Sequence, residues 1–97
     1  MSKSLFERCK DRINKSEIFV RISQWEHEYK VENSSGILLI SKINNGLFSS
    51  YSVHFNNIEL KMSRREKKKL FKFASGRDDF LRLIEDNENI RYVEENL

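Results

Sequence analysis

The stretch ILLISKINNG (residues 37–46) decides the fold, because it joins a continuous aliphatic run to the strongest turn motif of the chain. Ile37–Ile40 predicts a central strand that is covered on both faces. Asn44–Gly46 predicts a hairpin, since Asn and Gly tolerate the positive φ that tight hairpin loops need. The returning strand is predicted over Leu47–Phe55. The middle of the chain is therefore predicted to be antiparallel sheet.

A helix and two strands are predicted ahead of this hairpin. A capping box followed by apolar residues at helical spacing predicts an amphipathic helix over residues 3–15. Alternation with a period of two begins at Glu17, and its apolar phase shifts after Ile22. This shift indicates a β-bulge or a tight turn near Gln24. Residues 33–36 predict the turn into the central strand.

A basic helix is predicted after the sheet. A short alternating strand over Ile58–Met62 leads into it, Ser63 serves as N-cap, and Glu66 completes a capping box. Gly76 is expected to end this helix or to bend it. Beyond Gly76 the sequence predicts a second helix, with an apolar face formed by Phe80, Leu83 and Ile84 and with Asp78 or Asp79 as its cap.

Residues 90–93 are expected to form an edge strand or a helical extension, and residues 94–97 to be frayed. The fold class is α+β, in a single compact domain over residues 1–97. It comprises an N-terminal helix, an antiparallel sheet of four to five strands, and a C-terminal helix or helix pair packed on one face.

Composition narrows the class of protein. The single cysteine, Cys9, excludes an internal disulfide and is expected in the core, and no long apolar run suggests a signal peptide or membrane span. We therefore expect a cytoplasmic protein with no membrane partner. Its richness in Lys, Asn and Ile is typical of AT-rich bacterial or bacteriophage genes.

Charge is strongly segregated along the chain. Residues 61–77 carry eight basic side chains and one acidic one, whereas residues 78–97 carry seven acidic and two basic. Basic residues in the first turn of a helix oppose the macrodipole, so an anionic partner would explain the pattern. An acidic segment could also mask this surface. The candidate nucleic-acid-binding residues are Lys61, Arg64, Arg65, Lys68, Lys69 and Lys72.

Aromatic residues on the predicted strands suggest which nucleic acid is bound. Small sheet domains stack unpaired bases on strand-borne rings, and Trp25 and Tyr29 are the candidate stacking groups. Phe48 and Tyr51 are weaker candidates. A major-groove helix is disfavoured, because no helix at helix-turn-helix spacing precedes the basic one.

Catalytic, metal and cofactor motifs are not recognisable in the sequence. Glu26 and Glu28 flank His27, but on a strand they point away from it, which disfavours an acid/base pair. Cys9, His27 and His54 lack the spacing of metal ligands, and no glycine-rich loop could hold a nucleotide. We therefore expect a protein that is not an enzyme and has no cofactor.

Residues 30–75 resemble the sheet-plus-helix unit of Pur-alpha and Whirly-type single-stranded nucleic-acid-binding domains. The resemblance lies in several strands with an Asn/Gly hairpin, then the junction over residues 58–63, then an amphipathic helix. Leu38 and Leu39 stand where those domains often place basic or aromatic groups, which shifts the expected contact toward the basic helix. The resemblance also implies a homodimer, which an exposed edge strand could form.

Two functions are consistent with these patterns. The first is a non-enzymatic protein that contacts single-stranded DNA or RNA through the basic helix. The alternative is a protein-binding inhibitor or accessory factor, encoded by a bacteriophage and acting on a host enzyme or nucleic-acid-binding protein. In the alternative, the partner of the basic helix is an acidic protein surface.

Overall fold

The computed structural model describes residues 3–77, 79, 81–86 and 89–93. Within these described ranges, two helices and seven strands form an α+β fold. In chain order they are α1 (Leu5–Lys15), β1 (Glu17–Ile22), β2 (Glu26–Asn33), β3 (Gly36–Asn44), β4 (Ser49–Phe55), β5 (Ile58–Glu59), α2 (Arg64–Ser75), β6 (Leu81–Asp86) and β7 (Asn89–Val93).

The strands form one mixed sheet in the order β5-β4-β3-β2-β1-β6-β7. Strands β1 to β5 form an antiparallel meander, and β6 joins it by pairing parallel to β1. The prediction of a purely antiparallel sheet of four to five strands is therefore corrected, since the sheet is larger and one of its pairings is parallel.

The predicted turns are confirmed. Ser23 N–H donates to the Glu26 carbonyl at 2.8 Å and closes a tight turn where the phase shift was found. In the β3–β4 loop, Asn45 N–H donates to the Phe48 carbonyl at 2.9 Å, and Gly46 has a φ of +90°. The second strand of this hairpin begins at Ser49, later than predicted.

The second helix predicted beyond Gly76 is wrong. Leu81–Asp86 forms β6 and Asn89–Val93 forms β7, so the edge-strand alternative for residues 90–93 is confirmed. The physical reason is tertiary, because β6 pairs with the side of β1 that the meander leaves open and so satisfies its backbone hydrogen bonds. Asp78, Phe80 and residues 94–97 lie outside the described residues.

Both helices pack on the same face of the sheet. Residues Ile13 of α1 and Leu70 of α2 are fully buried against strand residues that share one face, among them Val31, Ile40 and Val53. The short α1–β1 connection and the capped start of α2 therefore fix both helices over the centre of the sheet. No helix within the described ranges is long and apolar enough to cross a membrane.

Candidate nucleic-acid interface

The start of α2 is fixed by its capping box, as the sequence predicts. The Ser63 hydroxyl accepts the Glu66 backbone N–H at 3.2 Å, and the Glu66 carboxylate accepts the Ser63 backbone N–H at 3.2 Å. Leu60 N–H donates to the Val53 carbonyl at 2.9 Å and holds the preceding segment on β4. The first basic side chains of the helix are thus held at a defined place on the sheet.

Arg64 docks the helix on the sheet. Its Nη2 donates to the Ser49 carbonyl at 2.9 Å, and its guanidinium carbon lies 5.5 Å from the centroid of the Tyr51 ring. A cation over an aromatic face is attracted to the ring electrons. Arg64 therefore has a structural role besides any contact with a ligand.

The other predicted cations lie on the outer side of α2, apart from Lys61, which lies on the segment before the helix. Lys61, Arg65, Lys69 and Lys72 are exposed, and Lys68 is half-buried. Among the residues that the structure describes, no carboxylate forms an ion pair with any of these five side chains. Within the described part of the chain these side chains have no fixed counter-charge, which is the condition for counterion release on binding a polyanion.

Lys42 extends this basic surface onto the sheet, and it was not predicted from the sequence. The strand register places it directly opposite Tyr51 on β4 and His27 on β2. Burial lowers the pKa of His27 below its usual value, and the nearby charge of Lys42 lowers this pKa further. Lys42 is thus a cation beside the ring that Arg64 covers.

Two aromatic rings are exposed at the end of the sheet where the basic helix begins. Trp25, in the β1–β2 turn, is 61% exposed, and Phe48, in the β3–β4 loop, is 68% exposed. Asn44 N–H donates to the Trp25 carbonyl at 2.8 Å and so holds the two loops together. Because Phe48 precedes Ser49, whose carbonyl binds Arg64, the rings and the first turn of α2 lie at the same end of the sheet.

Tyr29 is a core residue, and its predicted stacking role is corrected here. Tyr29 is only 3% exposed, and its ring packs edge-on against Phe71 with a centroid distance of 5.1 Å. No face of the ring is open to a base. Phe71 lies on the side of α2 that faces the sheet, and it also contacts Tyr51 and His27, at centroid distances of 5.7 Å and 5.1 Å.

The residues around His27 do not form an acid/base pair. Glu26 and Glu28 lie on the opposite face of the sheet, as predicted, and both carboxylates bind Arg21, at 3.0 and 3.2 Å. The Nε2 atom of His27 is buried and has no hydrogen-bond partner among the residues that the structure describes. The His27 ring packs against the rings of Tyr29 and Phe71, at centroid distances of 4.9 Å and 5.1 Å.

Cys9 is 5% exposed and lies in the core, which confirms that prediction. Within the described part of the chain, no group of three or more His, Cys, Asp or Glu side chains could hold a metal ion.

The acidic end of the chain is described only in part. Asp79 is exposed and forms an ion pair with Arg77, which also donates to the Ile13 carbonyl of α1. Whether acidic residues mask the basic helix depends on side chains outside the described ones, among them Asp78, Glu88 and Glu94.

No protein-family model, curated protein or solved structure matches this chain.

Proposed function

We propose that the protein is a non-enzymatic binding protein that holds single-stranded DNA or RNA between the basic face of α2 and the exposed rings of two neighbouring loops. The observation that supports this most is the hydrogen bond from Arg64 to the Ser49 carbonyl, which places the cationic helix next to Phe48. Phosphates require cations and unpaired bases require open ring faces. Both groups are present at one end of the sheet.

The roles divide between the two elements. Arg65, Lys68, Lys69 and Lys72 contact phosphates, because no carboxylate in the described structure competes for them. Lys61 and Lys42 extend the cationic path on either side of the first turn of α2. Trp25 and Phe48 stack bases, in the role predicted for Trp25 and Tyr29.

Single strands are favoured over duplex by these exposed rings. Stacking requires a base whose face is open, which a paired duplex offers only at its ends. The edge strands of the sheet are β5 and β7, and a homodimer through one of them stays a prediction. The resemblance to Pur-alpha and Whirly-type domains also stays a prediction.

The test is a salt titration with a labelled 12-nucleotide pyrimidine strand and the matching duplex. If about four phosphates are neutralised, the log–log slope for the single strand is about −3, since each contributes about −0.7. A Lys69→Gln/Lys72→Gln variant of α2 should reduce the slope to about −1.5. An Arg8→Gln/Lys15→Gln variant of α1 is the control, because it removes the same amount of positive charge. Each variant also removes one basic side chain from the last turn of its helix, Lys15 in α1 and Lys72 in α2.

Equal slopes for both variants and wild type would contradict the proposal. So would equal affinity for strand and duplex, because the exposed rings would then have no role. Arg64 is unsuitable for this test, since its substitution also removes the contact with Ser49.

A protein partner is the second candidate, and two aliphatic side chains favour it. Leu47 is 99% exposed and Ile22 is 66% exposed, at the same end of the sheet as Trp25. Exposed aliphatic groups do not stack on bases, but they are common in protein interfaces. An inhibitor or accessory factor with an acidic partner would show salt-sensitive binding to that protein and none to oligonucleotides.

A further inference from the structure

A groove of about 510 Å³ lies between α1 and the sheet, and the nucleic-acid interface does not use it. Its apolar wall consists of Leu5 and Cys9 from α1 and of Leu38, Phe55 and Leu60 from the sheet side. Small-molecule sites are typically about 300–1,000 Å³, so this groove has the volume of a ligand site.

The rim of the groove is cationic. Arg8, Arg12 and Lys15 line it from three successive turns of α1, and Asp11 is the one acidic residue among the described residues of the lining. Asp11 is bonded to Lys3 at the protein surface, and this contact lowers the pKa of Asp11. The three cations therefore outweigh the single carboxylate, which is already paired.

Arg12 is held in place over the apolar wall. Its Nη1 donates to the Asn33 side-chain oxygen at 2.7 Å, and its guanidinium carbon lies 4.4 Å from the centroid of the Phe55 ring. A guanidinium group has five N–H donors, and Asn33 takes one of them. Arg12 is thus a fixed cation with donors remaining for an anion, next to an apolar surface.

We propose that this groove binds a small amphipathic anion, specifically an unbranched aliphatic carboxylate of about ten carbons. The carboxylate pairs with Arg12, flanked by Arg8 and Lys15, and the chain lies on Leu5 and Leu60. Leu5 and Arg12 are seven residues apart in the sequence, which is about 10 Å along α1 at about 1.5 Å per residue and close to the length of an extended chain of ten carbons.

Charge and apolar area together select this class of ligand. An inorganic anion would leave the open apolar surface of Leu5, Phe55 and Leu60 unused, and an uncharged alcohol would leave the cations unpaired. A carboxylate with an aliphatic chain satisfies both features, because Arg binds carboxylates through parallel N–H donors while burial of each methylene adds to affinity.

Calorimetric titration of the whole chain with decanoate, below its micelle concentration and at low salt, tests the proposal. Decanoate should bind in a one-to-one complex, and hexanoate should bind at least tenfold more weakly because it buries fewer methylenes. The Arg8→Gln/Lys15→Gln variant should bind decanoate about fivefold more weakly. Wild type should bind decanol more weakly than decanoate. Wild type and the Arg8→Gln/Lys15→Gln variant should bind decanol with equal affinity.

The matched control is the α2 variant Lys69→Gln/Lys72→Gln, which should bind decanoate as wild type does while losing oligonucleotide affinity. The α1 variant should show the opposite pattern, so this proposal and the proposed function can fail separately. If the α1 double variant is not folded by circular dichroism, Arg8→Gln alone replaces it. No binding of decanoate at millimolar concentration, or unchanged affinity in the folded variant, overturns the proposal.

Discussion

Replacement of Arg65 by Glu should stabilise the protein and weaken its binding to single strands. Arg65 is the second residue of α2 after the Ser63 cap, beside the positive end of the helix dipole. Each charge there changes the free energy of unfolding by about 0.3–1 kcal/mol. Glu would also face Lys69 one turn later as an attractive pair, worth about 0.2–0.5 kcal/mol, in place of a repulsive one.

The combined gain in stability is about 1 kcal/mol at the low end of these ranges, or about 4 °C in Tm for a domain of this size. Loss of one phosphate contact removes one released counterion. The slope of the salt dependence is then smaller by about 0.7. If the variant and wild type bind equally at 1 M salt, this difference in slope makes the variant bind single strands about eightfold more weakly than wild type at 50 mM salt.

Urea unfolding and fluorescence anisotropy with the labelled pyrimidine strand measure the two effects on the same samples. Arg8→Glu near the start of α1 is the control, because it makes the same charge change in a similar position and should leave oligonucleotide binding unchanged. If Arg65→Glu stabilises the protein and leaves binding unchanged, the interface is not on this helix. If it destabilises the protein, the electrostatic conflict at the first turn does not exist.

Three further outcomes are expected. Trp25→Ala and Phe48→Ala should each cost about 1–3 kcal/mol of single-strand binding, with little change in stability since both rings are mostly exposed, as measured by anisotropy and urea unfolding. Burial lowers the pKa of His27 in the folded state, so as the pH falls the imidazole of the unfolded state takes up a proton before that of the folded state. The contribution of neutral His27 to the free energy of unfolding should therefore be fully present above about pH 6.5 and be lost as the pH falls from there through the folded-state pKa. A His27→Phe variant should lack that part of the pH dependence in urea titrations. Gly36→Ala should destabilise by about 2 kcal/mol, because its φ is +151° and an added Cβ would lie 2.6 Å from a ring carbon of Phe55, and an unchanged unfolding midpoint would contradict this reasoning.

The parts of the fold that depend on local patterns could be predicted from the sequence. The tight turn after Ile22, the Asn/Gly hairpin and the capped helix starting after Ser63 each follow from a few neighbouring residues. Residues 81–86 could not be placed this way. Their state depends on the open side of β1, more than fifty residues earlier in the chain, and a pattern of helical spacing contains no information about that partner.

The candidate site shows the same limit. Alternation in the sequence predicts that Trp25 and Tyr29 lie on one face of the same strand, but it does not say how far the helices cover that face. Tyr29 lies beneath Phe71 and is buried, whereas Trp25 lies beyond the helix and is open. Lys42 was missed for a related reason, because its position opposite Tyr51 follows from the strand register alone.

Two features at one end of the sheet are unfavourable for the isolated protein and have different physical origins. The basic first turn of α2 opposes the helix dipole, and the open rings of Trp25 and Phe48 expose apolar area to water. Replacing Arg65 by Glu would remove the conflict with the helix dipole, and replacing Phe48 by a polar residue would reduce the exposed apolar area. Neither substitution would change a core residue. An acidic ligand without rings would account for the first feature only, and an apolar partner for the second only. A strand of nucleotides accounts for both, since it carries negative charge and open planar bases in regular alternation.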